Sequence, residues 1–368
     1  MRVLVLCKRQ YTHQDLLDHR YGRLFELPAA LAARGHEVQA AVSSYRPRGA
    51  QTCRLGGVLW ESLDAWPQPW ACYRQAQTIA ARFRPEIIWA SADVLQLAAG
   101  ARLARQLGLP LVLDLYDDYE AFGLTQLPGL RSVLRRACAQ ADALSVVSHS
   151  LVGTLRQRGE IPGRLAVIGN GVAPAFAHAA MTSTQPAARL ALGLPLAVPL
   201  VGSAGALDAT RGLQDLLQAY YLLAPSVPGL RLVVAGPRSS AVQRALPGNV
   251  LDLGILPYER MPLLLRSLDV GVICNRDSPF GRACFPQKLG EMVACGLPLV
   301  AAAVGEVAAL LAAQPACLYP PGDPHQLAER LAAQLRAPQL ASPTLGVAWE
   351  ALGLRLESLL VAALAQHH

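Results

Sequence analysis

Short apolar strands and amphipathic helices alternate along this chain, and the alternation runs through twice. Apolar runs fall near residues 2–7, 37–42, 56–60, 86–90, 110–115, 143–148 and 165–168, with helix-period segments such as 23–35 and 92–108 between them. The rhythm restarts at 199–204, 230–235, 249–253, 269–274, 298–302 and 316–318, interleaved with helical segments at 211–224, 258–267, 286–295 and 324–336. A strand that reads as a continuous apolar run is buried on both faces, and a helix between successive strands makes the sheet parallel. The expected fold class is therefore α/β, with a doubly wound sheet in each half. Residues 179–195 are rich in Ala, Pro, Ser and Thr without a strand pattern and are expected to be a linker. The expected division is an N-terminal domain 1–178, the linker 179–195, a C-terminal domain 196–344 and a closing amphipathic helix in 345–368. Trp349, Leu352, Leu356 and Leu359 share one side of that helix.

The bulk numbers agree with two buried cores. At 368 residues the chain suits two domains of about 150–200 residues each. Apolar residues make up 52% and charged residues 16%, which excludes a disordered chain. Every Ala/Leu-rich stretch is broken by Arg, Glu, Gln, Gly or Pro, so no membrane span is expected. The start runs at once into Lys8-Arg9-Gln10, unlike a signal peptide, and the expected location is the cytoplasm. Cysteines 7, 53, 72, 138, 274, 284, 295 and 317 are scattered singly, which reads as reduced buried thiols without disulfide or zinc. No metal-like histidine pair is visible unless His367-His368 counts.

Net charge is +7, and it is uneven: residues 1–180 hold 20 Lys/Arg against 14 Asp/Glu, a balance of +6. Arg131, Arg135 and Arg136 form one basic cluster, with Lys8, Arg9, Arg20 and Arg23 another. Such patches attract anionic lipid or a phosphorylated acceptor, so peripheral contact with the inner face of the cell membrane is an expectation. An ordinary solvated surface is the competing reading. Aromatic residues at 6% do not interleave with the basic runs, so nucleic acid is not an expected partner.

The segment Pro286–Val300 carries the most chemistry. Pro286 suits the first position of a helix, Gly296 a left-handed cap and Pro298 a stop, with a buried strand to follow. Lys288 and Glu291 lie three apart on one face near the positive end of that helix. A cation, a carboxylate and unpaired backbone N–H groups together suit a sugar diphosphate, phosphate to the amino end and hydroxyls to the carboxylate. Lys288 is one of only two lysines among 33 basic residues, which argues that a compact, flexible ammonium is wanted there. A solvated salt bridge between residues three apart remains the plain alternative.

Several segments, in order, resemble those of the retaining GT-B glycosyltransferases of family 4. They are Tyr21-Gly22-Arg23-Leu24 through Ala30–Val38, Ile168-Gly169-Asn170-Gly171-Val172, Gly205-Ala206-Leu207 to Arg211-Gly212-Leu213, Pro286–Val300, and Trp349-Glu350. The resemblance implies two Rossmann-like domains facing across a cleft, with the closing helix packing back toward the N-terminal domain. It implies transfer of a sugar from a nucleoside-diphosphate sugar, a substrate rather than a cofactor, to a hydroxyl of a glycan or lipid-linked acceptor. Neither cofactor nor metal is implied.

Carried residue by residue, the resemblance gives donor contacts at Gly22, Gly205, Arg211, Pro286, Lys288 and Glu291. Arg211, Lys288 and Asp117 become the catalytic candidates, and Tyr116, Asp118 and Glu120 the acceptor side. Asn170 becomes hinge and cleft wall, and Pro257-Tyr258 neighbours of the nucleotide base. Arg211 stands where the family has lysine, and Ala206 where it has arginine. Ala283 replaces a sugar-contacting glutamate, leaving Cys284, Phe285 and the amides of 282–285 to meet the sugar. Those losses keep a catalytically silent nucleotide-sugar-binding or scaffold protein in view, and a nucleotide-sugar epimerase on the same fold is the other alternative. A nicotinamide dehydrogenase is disfavoured, because strand one runs into Cys7-Lys8-Arg9-Gln10 and not a dinucleotide-binding glycine motif.

Overall fold

A computed structural model describes every residue except 12–13, 122, 160–162, 207, 209–210 and 368. Leu207 of the glycine loop and His368 of the terminal pair lie outside the described residues. The chain divides into two compact units, Met1–Asn170 with Trp349–His368, and Gly171–Ala348.

The first unit contains β1 (Arg2–Lys8), β2 (Gln10–Tyr11), β3 (Gln14–Asp15), β4 (Glu37–Ser44), β5 (Gln51–Leu55), β6 (Val58–Asp64), β7 (Ile87–Ser91), β8 (Leu111–Leu115), β9 (Ala143–Val146) and β10 (Leu165–Val167). Its eight-stranded sheet has the order β10-β9-β8-β7-β1-β4-β6-β5, parallel throughout except for the antiparallel edge strand β5. β2 and β3 form a separate small ribbon. The inner strands are continuous apolar runs, as burial on both faces requires; every residue of β7 and of β8 is buried.

The second unit contains β11 (Leu200–Ala204), β12 (Arg231–Ala235), β13 (Leu251–Asp252), β14 (Val270–Ile273), β15 (Leu299–Ala302) and β16 (Leu318–Tyr319). They form one parallel sheet in the order β13-β12-β11-β14-β15-β16, the dinucleotide-binding order in which chain direction across the sheet reverses between β11 and β14.

The linker expectation fails. Residues 179–195 are mostly helix: Pro174–Thr182 runs through the expected boundary and Gln185–Ala191 follows, each with proline in its first turn. Both pack into the second unit, where Phe176 and Leu194 join its apolar core. Arg189, nearly buried, pairs with Asp269 at 2.7 Å and donates to the Ser267 carbonyl at 2.9 Å. An Ala-rich stretch with no strand pattern can still bury a helix face, and here burial sets the boundary at 170/171.

The basic-patch expectation also fails for most of its members. Arg9 and Arg23 are buried rather than displayed, Arg9 pairing with Asp15 and Asp18, and Arg23 with Asp114. Arg135 pairs with Glu120, and Lys8 stands 3.8 Å from Asp93. Neutralised cations offer little to an anionic surface. No helix among the described residues is long and apolar enough to cross a membrane.

Candidate functional site

In open α/β sheets, ligands bind at the carboxyl ends of the strands where the strand order reverses. In the second unit that point lies beyond β11 and β14, and the local sequence opens space there. Gly205 follows β11 at φ 104° and donates its N–H to the Ala235 carbonyl at 2.9 Å. Gly212 caps the helix Leu213–Leu223 at φ 65°, and a Cβ on it would overlap the Cys274 carbonyl just past β14. Only glycine allows that helix start to close onto the strand end.

Arg211 precedes this helix rather than lying in its first turn. Its guanidinium carbon sits 4.4 Å from the centroid of the Phe280 ring, a cation–π contact. Lys288 approaches from the helix Gln287–Ala294, and its ammonium donates to the Ala204 carbonyl at 3.2 Å. The two cations feel each other: burial chiefly lowers the Lys288 pKa, and Arg211 adds to that push. Neither forms an ion pair among the described residues. Burial holds the neighbouring Cys274 as a neutral thiol, its pKa pushed up to about 12. Two cations close together, with Glu291 as the nearby carboxylate but in no ion pair with either, make a site that an oligo-anion would fit.

The Gln287–Ala294 helix begins one residue later than expected. Pro286 is its N-cap and is buried, so it shapes the entry and donates nothing to a ligand. No side chain caps this helix, so the positive end of its dipole lies uncapped by any carboxylate or hydroxyl, although the Leu289 N–H already donates to the Pro286 carbonyl at 3.0 Å. Glu291, 5% exposed, accepts hydrogen bonds on Oε1 from the Tyr258 hydroxyl at 3.0 Å and from Gln287 Nε2 at 2.9 Å. Burial raises its pKa to about 7 against those two hydrogen bonds and the charge of Lys288. Its Oε2 receives no hydrogen bond among the described residues. Sequence reasoning missed Gln287, although its spacing of four from Glu291 puts the two on one helix face. It put Pro257-Tyr258 beside the nucleotide base; the Tyr258 hydroxyl donates to Glu291.

Ala283 is buried in the short helix Pro279–Ala283, and the amides of 282 and 284 already donate to the carbonyls of Ser278 and Phe280. Those two amides therefore do not remain to meet a sugar.

The first-unit candidates come apart. Asp118 is bound by Arg158 at 2.7 and 2.8 Å and Glu120 by Arg135 at 2.7 and 2.8 Å, both carboxylates buried. Bidentate pairs of this kind occupy both oxygens, so the acceptor-side expectation for Asp118 and Glu120 is corrected to a structural one. Asp117 is half-buried and accepts the Asp118 N–H at 2.9 Å, turning the chain after β8. Tyr116 belongs to an aromatic cluster, edge-on to Tyr11 at 5.2 Å and to Tyr119 at 5.5 Å. Gly22 opens the helix Arg23–Ala33 at φ 76°, and a Cβ on it would overlap the Tyr11 ring, a packing reason for glycine. It too is buried.

Beneath this end lies a network the sequence did not disclose. Arg23, 0% exposed, pairs with Asp114 through Nε at 3.0 Å and Nη2 at 2.7 Å, and its Nη1 donates to the carbonyls of Ile168 and Gly169. Asp114 also accepts from the hydroxyls of Ser91 and Ser145 at 2.6 and 2.7 Å. Asn170 takes part through its side-chain oxygen, 3.3 Å from Arg23 Nη1. Among the described residues no three His, Cys, Asp or Glu side chains gather to hold a metal ion.

Comparison with known proteins adds an independent line. The model of Glycosyltransferase Family 4 matches residues 23–176, and that of Glycosyl transferases group 1 matches 198–337. The chain is 24% identical over 322 residues to the GDP-mannose-dependent monoacylated alpha-(1-6)-phosphatidylinositol monomannoside mannosyltransferase of Corynebacterium glutamicum, covering 82% of this chain and 83% of that one. It is 32% identical over 169 residues to the D-inositol 3-phosphate glycosyltransferase of Mycobacterium avium, covering 42% and 38%. Among solved structures, sucrose-phosphate synthase from Thermosynechococcus elongatus superposes with a TM-score of 0.77 at 20% identity, over 99% of each chain. Anabaena HepE in complex with UDP-glucose gives 0.67 at 18%, over 99% of this chain and 98% of that one. Both likenesses are to the GT-B fold.

Proposed function

Because this chain is a family 4-like glycosyltransferase of GT-B fold that uses a nucleotide sugar, we propose how its second domain holds the donor and what the transfer does. The diphosphate lies between Arg211 and Lys288, over the opening N–H groups of the Gln287–Ala294 helix. The ribose hydroxyls donate to Glu291, whose Oε2 is open while Tyr258 and Gln287 fix Oε1. The single observation that carries this reading is the pair of cations, neither in an ion pair among the described residues, at the strand-order reversal.

Negative charge grows on the departing diphosphate as its bond to the anomeric carbon breaks, so Arg211 and Lys288 are worth most in the transition state. We take the transfer to retain anomeric configuration. The acceptor oxygen bonds to the anomeric carbon on the face the phosphate leaves, and the acceptor's proton passes to the departing phosphate oxygen. This route asks for no dedicated carboxylate base, which accords with Asp118 and Glu120 being held by arginines. The acceptor is read as a hydroxyl of a lipid-linked or polysaccharide glycan, supported by the acylated phosphatidylinositol mannoside named for the Corynebacterium relative. The site of action is read as the cytoplasm.

Thermal-shift screening against UDP-, GDP- and ADP-sugars identifies the donor, and the matching transfer assay tests the roles. Arg211→Ala and Lys288→Ala should each cost about 3 kcal/mol of barrier, roughly 100-fold in kcat/KM. If neither slows transfer tenfold, the cation assignment is wrong.

A further inference from the structure

A cavity of ≈ 560 Å³ opens in the first domain over the carboxyl ends of its central strands. Lys8 ends β1, Tyr45 follows β4, Ala65 follows β6, Asp93 follows β7 and Tyr119 lies beyond β8, and all of them line it. β1 and β7 are neighbours at which this sheet's strand order reverses, so the cavity holds the position at which α/β domains bind ligands. Its size is that of a small-molecule site.

Most polar groups of this cavity already serve one another, the exception being the buried Tyr119 hydroxyl, which has no hydrogen-bond partner among the described residues. Asp93 accepts from the Tyr45 hydroxyl at 3.1 and 3.0 Å, takes the Leu95 N–H at 3.1 Å and lies 3.8 Å from the Lys8 ammonium. The Thr125 hydroxyl donates to the Tyr119 carbonyl. What remains of the wall is apolar: Ala65, Trp66, Pro69, Val94, Leu95 and Leu124. Trp66 is 79% exposed, and Leu95 and Leu124 are 40% and 37% exposed, so this apolar surface faces solvent when the cavity is empty. A sugar ring placed here would strand its hydroxyls against carbon, which costs free energy for each one. An alkyl or aryl group would instead remove apolar wall from water.

We infer that this cavity holds an apolar aglycone of the acceptor, an alkyl or aryl group, leaving the hydroxyl-bearing part outside it. The inference rests on the glycosyltransferase reading for calling the ligand an acceptor, and on the cavity alone for its chemistry. The test uses the full chain and a series of alkyl β-glucosides from methyl to octyl, kept below their micelle concentrations and followed by calorimetry and tryptophan fluorescence.

Affinity should rise ~4-fold for each added methylene, the equivalent of ~0.8 kcal/mol. Trp66→Ala and Leu124→Ser should each weaken octyl glucoside binding by tenfold or more and leave the methyl glucoside unchanged. Affinity that ignores chain length, an oligosaccharide that binds more tightly than octyl glucoside, or folded variants that bind octyl glucoside as the native chain does would each overturn the inference. Titration with UDP-glucose and GDP-mannose separates the two claims. Alkyl binding without any donor binding would sink the donor-site reading and leave the apolar cavity standing.

Discussion

Replacing Glu291 by Gln removes one buried titration and leaves the side-chain shape in place. The native carboxyl has its pKa raised by burial from 4.5 to about 7, so between those pH values the folded chain holds a proton that the unfolded chain releases. Stability therefore falls as pH rises through that window, and the full cost above it is ~3 kcal/mol at ~1.4 kcal/mol per pKa unit. The glutamine carries no charge at any pH and should flatten this slope. For a domain of this size ~1 kcal/mol moves Tm by ~2–4 °C, so calorimetry from pH 4.5 to 8 should show the native chain losing ~6–12 °C more than Glu291→Gln. Glu26 also has its pKa raised to about 7, by burial and by Glu350, but it is present in both proteins and cancels in the difference. Donor affinity should run the other way. An ionised carboxylate accepts from ribose hydroxyls more strongly than a protonated carboxyl does, so nucleotide binding to the native chain should tighten as pH rises through 7 and approach a plateau above it. A difference in Tm between native and variant that does not change with pH would refute the buried-carboxyl argument.

Other perturbations separate structural charges from functional ones. Asp114→Asn leaves the Arg23 guanidinium buried without its counter-charge and should cost ~3–5 kcal/mol, read as unfolding of the first domain at lower denaturant. Arg158→Ala exposes no new site but strands Asp118, so Tm should fall while KM for the donor stays unchanged. Gly212→Ala forces a Cβ into the Cys274 carbonyl at a positive φ, costs more than ~1 kcal/mol, and should weaken nucleotide binding by displacing Arg211, measured by calorimetry.

The sheets were legible because parallel strands buried on both faces leave long apolar runs, as in Ile87–Ser91 and Leu299–Ala302. β5 was not, since its sequence Gln51-Thr52-Cys53-Arg54-Leu55 is half polar, as an antiparallel edge strand permits. The neighbourhood of Lys288 and Glu291 could be read from helix spacing and capping residues, which act locally. Asp118, Glu120 and Arg23 could not be read, because what decides their role is a partner 40, 15 or 91 residues away. An aspartate that grips an arginine and one that grips a substrate look alike in sequence. Likewise, Trp66 and Leu124 are ordinary apolar residues until the fold brings them to one cavity.

The helix Trp349–His367 completes the first unit although the whole second unit is synthesised before it. It buries Trp349, Leu352, Leu356 and Leu360, and its Gly353 meets Ala30 so closely that a Cβ would overlap. During translation, residues 1–170 therefore stay with that face of helix Arg23–Ala33 uncovered until residues 171–348 have also been made, whereas residues 171–348 form a contiguous unit. A chain cut short before Trp349 would keep its second unit and lose the integrity of the first.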